Sequence, residues 1–240
     1  MSVHLLTYPD TTSKEYYKAR YHYLLQIIFG ETVAIDYCRQ MSTFAPSLEA
    51  STFLLQQQTE EELHLDMLVE YVGHNPRPQV LISSSLKKLD EIMKDAIDRR
   101  DYVDSVFIQH FIVEGLNISL LRELEHHSDA ILSELSSKIL QDEMGHMEFG
   151  VSELKRILSE NPDPVLIHKL IWLQRKTLFY STGLALTLAR EAKDLGIPMD
   201  EFVKKVVSEH MDRITEAGFP LPLIDKVCFK LVIVFLGLVR

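Results

Sequence analysis

The chain has 240 residues, two cysteines and a formal charge of −10. That length supports one sizeable hydrophobic core, and the acidic balance argues against nucleic acid or an anionic membrane surface as a partner, though a basic redox partner fits. Cys38 and Cys228 are too few for a disulfide framework and residues 1–14 carry no apolar signal region, so a reducing cytoplasm is the expected compartment.

Helical periodicity runs through most of the sequence, and no alternating strand stands out. Helix 1 is expected from about 13 to 42, opening after the Asp10-Thr11-Thr12-Ser13 caps. Helix 2 is expected from about 47 to 72, stopped by Gly73-His74-Asn75-Pro76-Arg77-Pro78. A long connection, with a helix of its own over 81–99, leads to helix 3 (about 101–126) and helix 4 (about 129–159). Asn161-Pro162-Asp163-Pro164 ends that four-helix core. An apolar helix over 165–195, a shorter one over 199–217 and a terminal one from 221 follow. The stretch Val227–Val239 is apolar on all sides but too short to span a bilayer, which takes about 20 residues. It reads as a buried core helix, with an interfacial anchor or a dimer contact as alternatives. The whole is expected to be one all-α domain over 1–240, with a four-helix core over about 13–160 and additional helices over about 164–240.

The chemistry lies in a doubled pattern. Glu61–His64 and Glu143–His146 are Glu-x-x-His pairs 82 residues apart, and Glu31 and Glu114, 83 residues apart, precede them by about 30. On a helix, residues three apart share a face. If Pro46 marks the turn between helices 1 and 2, Glu31 lies 15 residues before it and Glu61 15 after. With a constant rise per residue, an antiparallel pair then holds both at one height. Glu114 and Glu143 are likewise centred on Ser128–Asp129, a helix N-cap signal. Solvated charges on helix faces need no common height. Glu123–His126 is a third Glu-x-x-His match without such a counterpart, and is read as chance.

Glu31 and Glu114 also lie in largely apolar runs, with no Lys or Arg within four residues of either. A buried carboxylate is costly unless paired or bound to metal. Four carboxylates and two imidazoles converging in a helix bundle form a dinuclear carboxylate site. Hard oxygen donors with one imidazole per ion suit iron or manganese. Gly30, Gly115 and Gly145 flank three of these residues, which means either close helix packing or room beside the metals.

These spacings, the length and the extra helices resemble the aldehyde-deformylating oxygenases of the ferritin-like superfamily. Local matches are Gly30-Glu31 with Asp36 following, Gln109 ahead of Glu114, the run Lys138-Ile139-Leu140-Gln141-Asp142-Glu143 through His146 to Phe149-Gly150, and Ala217-Gly218-Phe219. The resemblance implies a ferritin-like four-helix bundle with a long crossover and additional C-terminal helices. It implies Glu31, Glu61, His64, Glu114, Glu143 and His146 as ligands to two irons, or to a mixed manganese–iron pair, with Asp142 as a partner for a metal-bound imidazole. The activity implied is dioxygen activation on a long-chain fatty aldehyde, giving an alkane one carbon shorter and formate. Electrons would come from a ferredoxin-type donor, since the chain has no flavin, nicotinamide or iron–sulfur motif.

Two positions depart from the family pattern: Cys38 and Leu121 stand where tyrosines are expected, with Tyr37 displaced by one. Hydroxylation or N-oxygenation of another substrate is therefore an alternative. Iron handling as a ferroxidase is a second alternative and a metal-free bundle a third. Ile27, Ala34, Cys38, Phe111, Ile118, Leu121 and Phe149 are placed to line an apolar substrate pocket, or are simply core. A homodimer is compatible with all of these readings.

Overall fold

Six of the helices begin where a short polar side chain stands in for a missing turn. In the structure, a computed structural model that describes residues 13–73, 82–160 and 162–238, Ser13 Oγ accepts from the Tyr16 amide at 3.0 Å and opens α1, Lys14–Ser42. Ser47 does the same for α2, Leu48–Val72, accepting from Ala50 at 3.1 Å. Ser83 opens α3, Ser84–Asp98, the helix of the long connection, and Asp101 opens α4, Tyr102–Val106. After α5, Glu114–His127, Asp129 Oδ1 accepts from the amides of Ile131 and Leu132, both at 3.1 Å, at the head of α6, Ala130–Glu160. Asp163 caps α7, Pro164–Asp194, whose first residue is a proline that needs no amide partner there. The remaining helices are α8, Met199–Glu216, and α9, Leu223–Leu238. Expected and observed helix limits agree within a few residues. The Asp10-Thr11-Thr12 part of the first cap, the His74–Pro78 stop, Leu81 and Asn161 lie outside the described residues.

α1 packs along α2 and α5 along α6, so two antiparallel hairpins form the core. α3 crosses between them and lies against α1, α4 and α7. Tyr37 turns its hydroxyl out to Asp90 of α3, tying the first hairpin to the connection. α7, α8 and α9 cover one flank, where Arg175 joins α7 to α9, its guanidinium meeting the Asp225 carboxylate at 2.7 and 3.0 Å. Among the described residues no strand is present, and no helix is long and apolar enough to cross a membrane.

Two expectations are corrected. Helix 3 is not continuous: residues Phe107–Val113 between α4 and α5 are π-helical, bonded i to i+5. The C-terminal helix is not buried on all sides either. Asp225 and Phe229 face the protein, but Leu223, Ile224, Val227 and Leu231 are exposed. The reason is that α9 meets α8 and α7 along one side only; side chains from residue 232 onward lie outside the described set.

Candidate metal centre

The two hairpins bring Glu31, Glu61, His64, Glu114, Glu143 and His146 together at mid-bundle, each 2% exposed or less. α1 supplies Glu31, α2 supplies Glu61 and His64, the first residue of α5 is Glu114, and α6 supplies Glu143 and His146. Their donor atoms fall into two overlapping sets, each with all atoms within 4.8 Å of one another. One set is Glu31, Glu61, His64 and Glu143; the other is Glu61, Glu114, Glu143 and His146. Glu61 and Glu143 belong to both, which is the placement bridging carboxylates need between two ions.

Both imidazoles point Nδ1 inward. His64 Nδ1 lies 3.4 Å from Glu31, 3.3 Å from Glu61 and 3.5 Å from Glu143. His146 Nδ1 lies 3.4 Å from Glu143 and 3.5 Å from Glu61. The outer nitrogens go to acids on the opposite hairpin: His64 Nε2 to Asp142 at 3.1 Å and His146 Nε2 to Glu60 at 2.9 Å. Such an acid fixes the tautomer and raises the basicity of the inner nitrogen.

Amides complete the inner layer. Asn117 Nδ2 donates to Glu31 at 2.9 Å and to Glu143 at 3.0 Å. Gln57 Nε2 donates to Glu114 at 2.8 Å and Glu61 at 3.1 Å, while its Oε1 accepts from His110 Nε2 at 3.0 Å. Gln109 Nε2 donates to Glu114 at 2.9 Å. Those two residues are five apart, a spacing that an α-helix of 3.6 residues per turn places about 140° apart. The π-helical turn brings them onto one side, so the irregularity just before Glu114 aims the amide at the site.

The electrostatics suit a cation. Burial, then the neighbouring Glu61, pushes Glu31 well above the usual carboxylate range; burial, then Glu143, does the same to Glu114. Burial opposes charge on Glu143 as well, yet hydrogen bonds from His146 and His64 hold it below that range. His64 is driven upward against its burial by Glu143, Glu31 and Glu61, and His146 reaches about 9 through Glu143. Glu31 Oε2, a buried carboxylate oxygen, forms no hydrogen bond of good geometry and has His64 Nδ1 beside it at 3.4 Å. The donor set, its burial and that poorly satisfied oxygen fit two divalent ions.

The pocket residues scatter. Ile27 lines a narrow apolar cavity beside the cluster, together with Gly30, Leu89, Val113, Leu116 and Asn117. Beyond its chain neighbours and its own helix backbone, no atom lies within 4 Å of the place where a Gly30 side chain would begin. Phe111 lines a separate cavity against α7, α8 and α9. Ala34, Cys38, Ile118 and Leu121 are buried in the packed interior, and Phe149 stacks on Phe53 at 3.9 Å. Burial, and then the carboxylates of the cluster, push the Cys38 thiol up. Gly115 answers to close packing, since a β-carbon there would lie 2.7 Å from the Arg213 guanidinium. Asp36 pairs with Arg39 and Gln40 on the surface, and Glu123 faces His127 at 3.6 Å, away from the cluster. Gln57, Asn117, Glu60 and His110 escaped the sequence reading. Glu60 precedes Glu61 as Asp142 precedes Glu143, so the repeat itself was the available signal. Gln57 and Asn117 sit four and three residues from ligand-type glutamates, on the same helix faces.

The molecule is a ferritin-like helical bundle with a buried cluster of four carboxylates and two imidazoles able to hold metal ions. It is similar in structure to a Synechococcus protein described as protein 19 with aldehyde deformylating oxidase activity, with TM-score 0.75 and 16% identity over 88% of this chain and 94% of that chain. No protein-family model and no curated protein sequence matches the chain.

Proposed function

We propose that this chain is a non-haem di-iron oxygenase that activates dioxygen on an apolar small molecule, with a long-chain fatty aldehyde as substrate. The products are then an alkane one carbon shorter and formate, and the electrons come from an external donor of the ferredoxin type. The observation that carries the reading is the pair of four-donor sets sharing Glu61 and Glu143. Glu31 and His64 would hold one ion, Glu114 and His146 the other. When bound, the pair supplies open coordination positions and redox chemistry for dioxygen.

The chain's own residues do the rest. Asn117 and Gln57 orient four carboxylates by donating to them, while Asp142 and Glu60 hold the imidazoles with Nδ1 inward. Val113, Leu116 and Leu89 keep water from the cavity that meets Asn117, and Gly30 leaves room for a substrate to approach Glu31. The structural likeness to a protein with aldehyde deformylating oxidase activity supports the choice of substrate.

A second reading, hydroxylation or N-oxygenation of another apolar molecule, is favoured by one feature. Where the resembled family carries tyrosines, this chain has Cys38 and Leu121, both buried, so two hydroxyl groups are missing near the site.

Anaerobic titration with ferrous iron, followed by metal analysis, tests the centre: two irons per chain are expected. Adding a reductant, dioxygen and a long-chain aldehyde should then release formate and the shortened alkane. A chain that retains no iron removes the whole reading. Iron retention without formate removes the aldehyde and leaves the second reading.

A further inference from the structure

α7 carries an unusual outer face. Val165, Trp172, Phe179 and Leu186 recur at intervals of seven residues and are 74%, 61%, 73% and 38% exposed. A spacing of seven keeps side chains in one line along a helix, so these four form a single stripe opposite the buried side. Beside it, α9 exposes Leu223, Ile224, Val227 and Leu231. The Arg175–Asp225 ion pair joins the two helices, and Arg175 lies between Trp172 and Phe179 on the stripe's margin. An apolar exposed area of this extent marks a contact surface.

Charge says what it contacts. The chain as a whole is at −10, yet from Val165 to Ala189 it holds Lys169, Arg175 and Lys176 and no acidic residue. Lys169 is paired with Asp101 and Asp104, which leaves Lys176, among the described residues, as the unpaired cation of this stretch's outer face. Lys176 sits over the Trp172 ring at 5.2 Å, and Lys226 and Lys230 of α9 are exposed. The single acid of α9 within its described residues, Asp225, is turned inward onto Arg175. A second copy of the chain is a poor occupant. An antiparallel pairing of the stripe with itself would be centred between residues 175 and 176, which sets Arg175 of each copy against Lys176 of the other. An apolar stripe with an exposed Trp and flanking lysines matches the interfacial zone of an anionic bilayer, where acyl chains take the aromatic side chains and headgroups take the cations.

We propose that the α7–α9 face docks the protein on anionic lipid surfaces. The chain-wide charge pointed the other way because it averages over a face of opposite character. Docking of this kind would also place the protein where apolar molecules are dissolved, but the inference rests on the surface alone.

Trp172 is the only tryptophan in the sequence, so its fluorescence reports on this face without a label. The full chain is mixed with vesicles of phosphatidylcholine alone or of phosphatidylcholine with phosphatidylglycerol, with and without brominated acyl chains. Anionic vesicles should shift the emission to shorter wavelength, brominated chains should quench it, and the protein should sediment with the lipid. The Lys176→Glu/Lys230→Glu double variant should lower partitioning at least about 25-fold, since each cation near such a surface contributes about fivefold. Trp172→Ser, read by sedimentation, should weaken it as well; circular dichroism checks that each variant is folded. Emission unmoved by anionic vesicles overturns the proposal, and so does equal binding to neutral ones. A lipid-free emission maximum that depends on protein concentration overturns it in favour of a second copy.

Discussion

Asp142 immediately precedes Glu143 on α6, yet its carboxylate holds the imidazole of His64 on α2, Oδ2 to Nε2, at 3.1 Å. The relationship is mirrored: Glu60, just before Glu61, holds His146 of α6 at 2.9 Å. Each Glu-x-x-His helix therefore brings the acid that orients the other's histidine, and the two halves of the site lock each other.

That exchange predicts the effect of removing either acid. Asp142→Ala and Glu60→Ala should each weaken metal binding about 10–100-fold while leaving the fold intact. The two acids are partly exposed, so their loss exposes no core. Competition titration against a chelator measures the affinity. Unchanged affinity in both variants means that the histidines do not bind metal through Nδ1.

Sharing within the cluster predicts unequal consequences of removing its members. Glu114 and His146 belong to one donor set, so Glu114→Ala or His146→Ala should lower stoichiometry by one ion per chain. Glu61 and Glu143 belong to both sets, and Glu61→Ala should impair both ions. Metal analysis after gel filtration distinguishes these cases. Full loading of all three variants would sink the assignment of ligands.

The metal-free chain should lose stability on the alkaline side. His146 has an ordinary value of 6.5 and is raised to about 9 in the fold, against its burial, by Glu143. A raised histidine stabilises fully below its unfolded value, and that contribution disappears as pH climbs from 6.5 to about 9. Glu31 and Glu114, raised chiefly by burial, act in the same direction because their ionisation opposes folding. Thermal melts of the metal-free chain should show Tm falling across that window. Bound metal replaces the protons and should flatten the curve. A metal-free Tm that rises over the same interval would contradict these assignments.

Two glycines should respond differently to alanine. At Gly150 a new β-carbon would lie 2.2 Å from the His110 β-carbon, an atom close to its backbone and unable to swing away. Overpacking of about 1–3 kcal/mol then exceeds the gain of about 1 kcal/mol in helix propensity. Gly150→Ala should lower Tm, by up to roughly 8 °C. At Gly115 the obstacle is the tip of the long Arg213 side chain, which can move, so Gly115→Ala should alter Tm little. Calorimetry on both variants checks the contrast.

Helix limits, the pairing of hairpins and the six clustered residues could all be read from order along the chain. Caps such as Ser47 and Asp163 act over three residues, and the repeat of 82 residues encodes the common height of the glutamates. These are local or periodic properties, and linear sequence carries them directly. The π-helical turn that aims Gln109 was not legible, because it depends on how Phe107–Val113 packs rather than on any breaker within it. Nor was the partnership of Glu60 with His146, which joins residues 86 apart on different helices. The basic, apolar face of α7 and α9 was hidden by a net charge of −10, a sum that discards position. Which side of a helix meets its neighbours is decided only when all the helices have packed, and that step set both the inner hydrogen bonds of the cluster and the outer surface of the bundle.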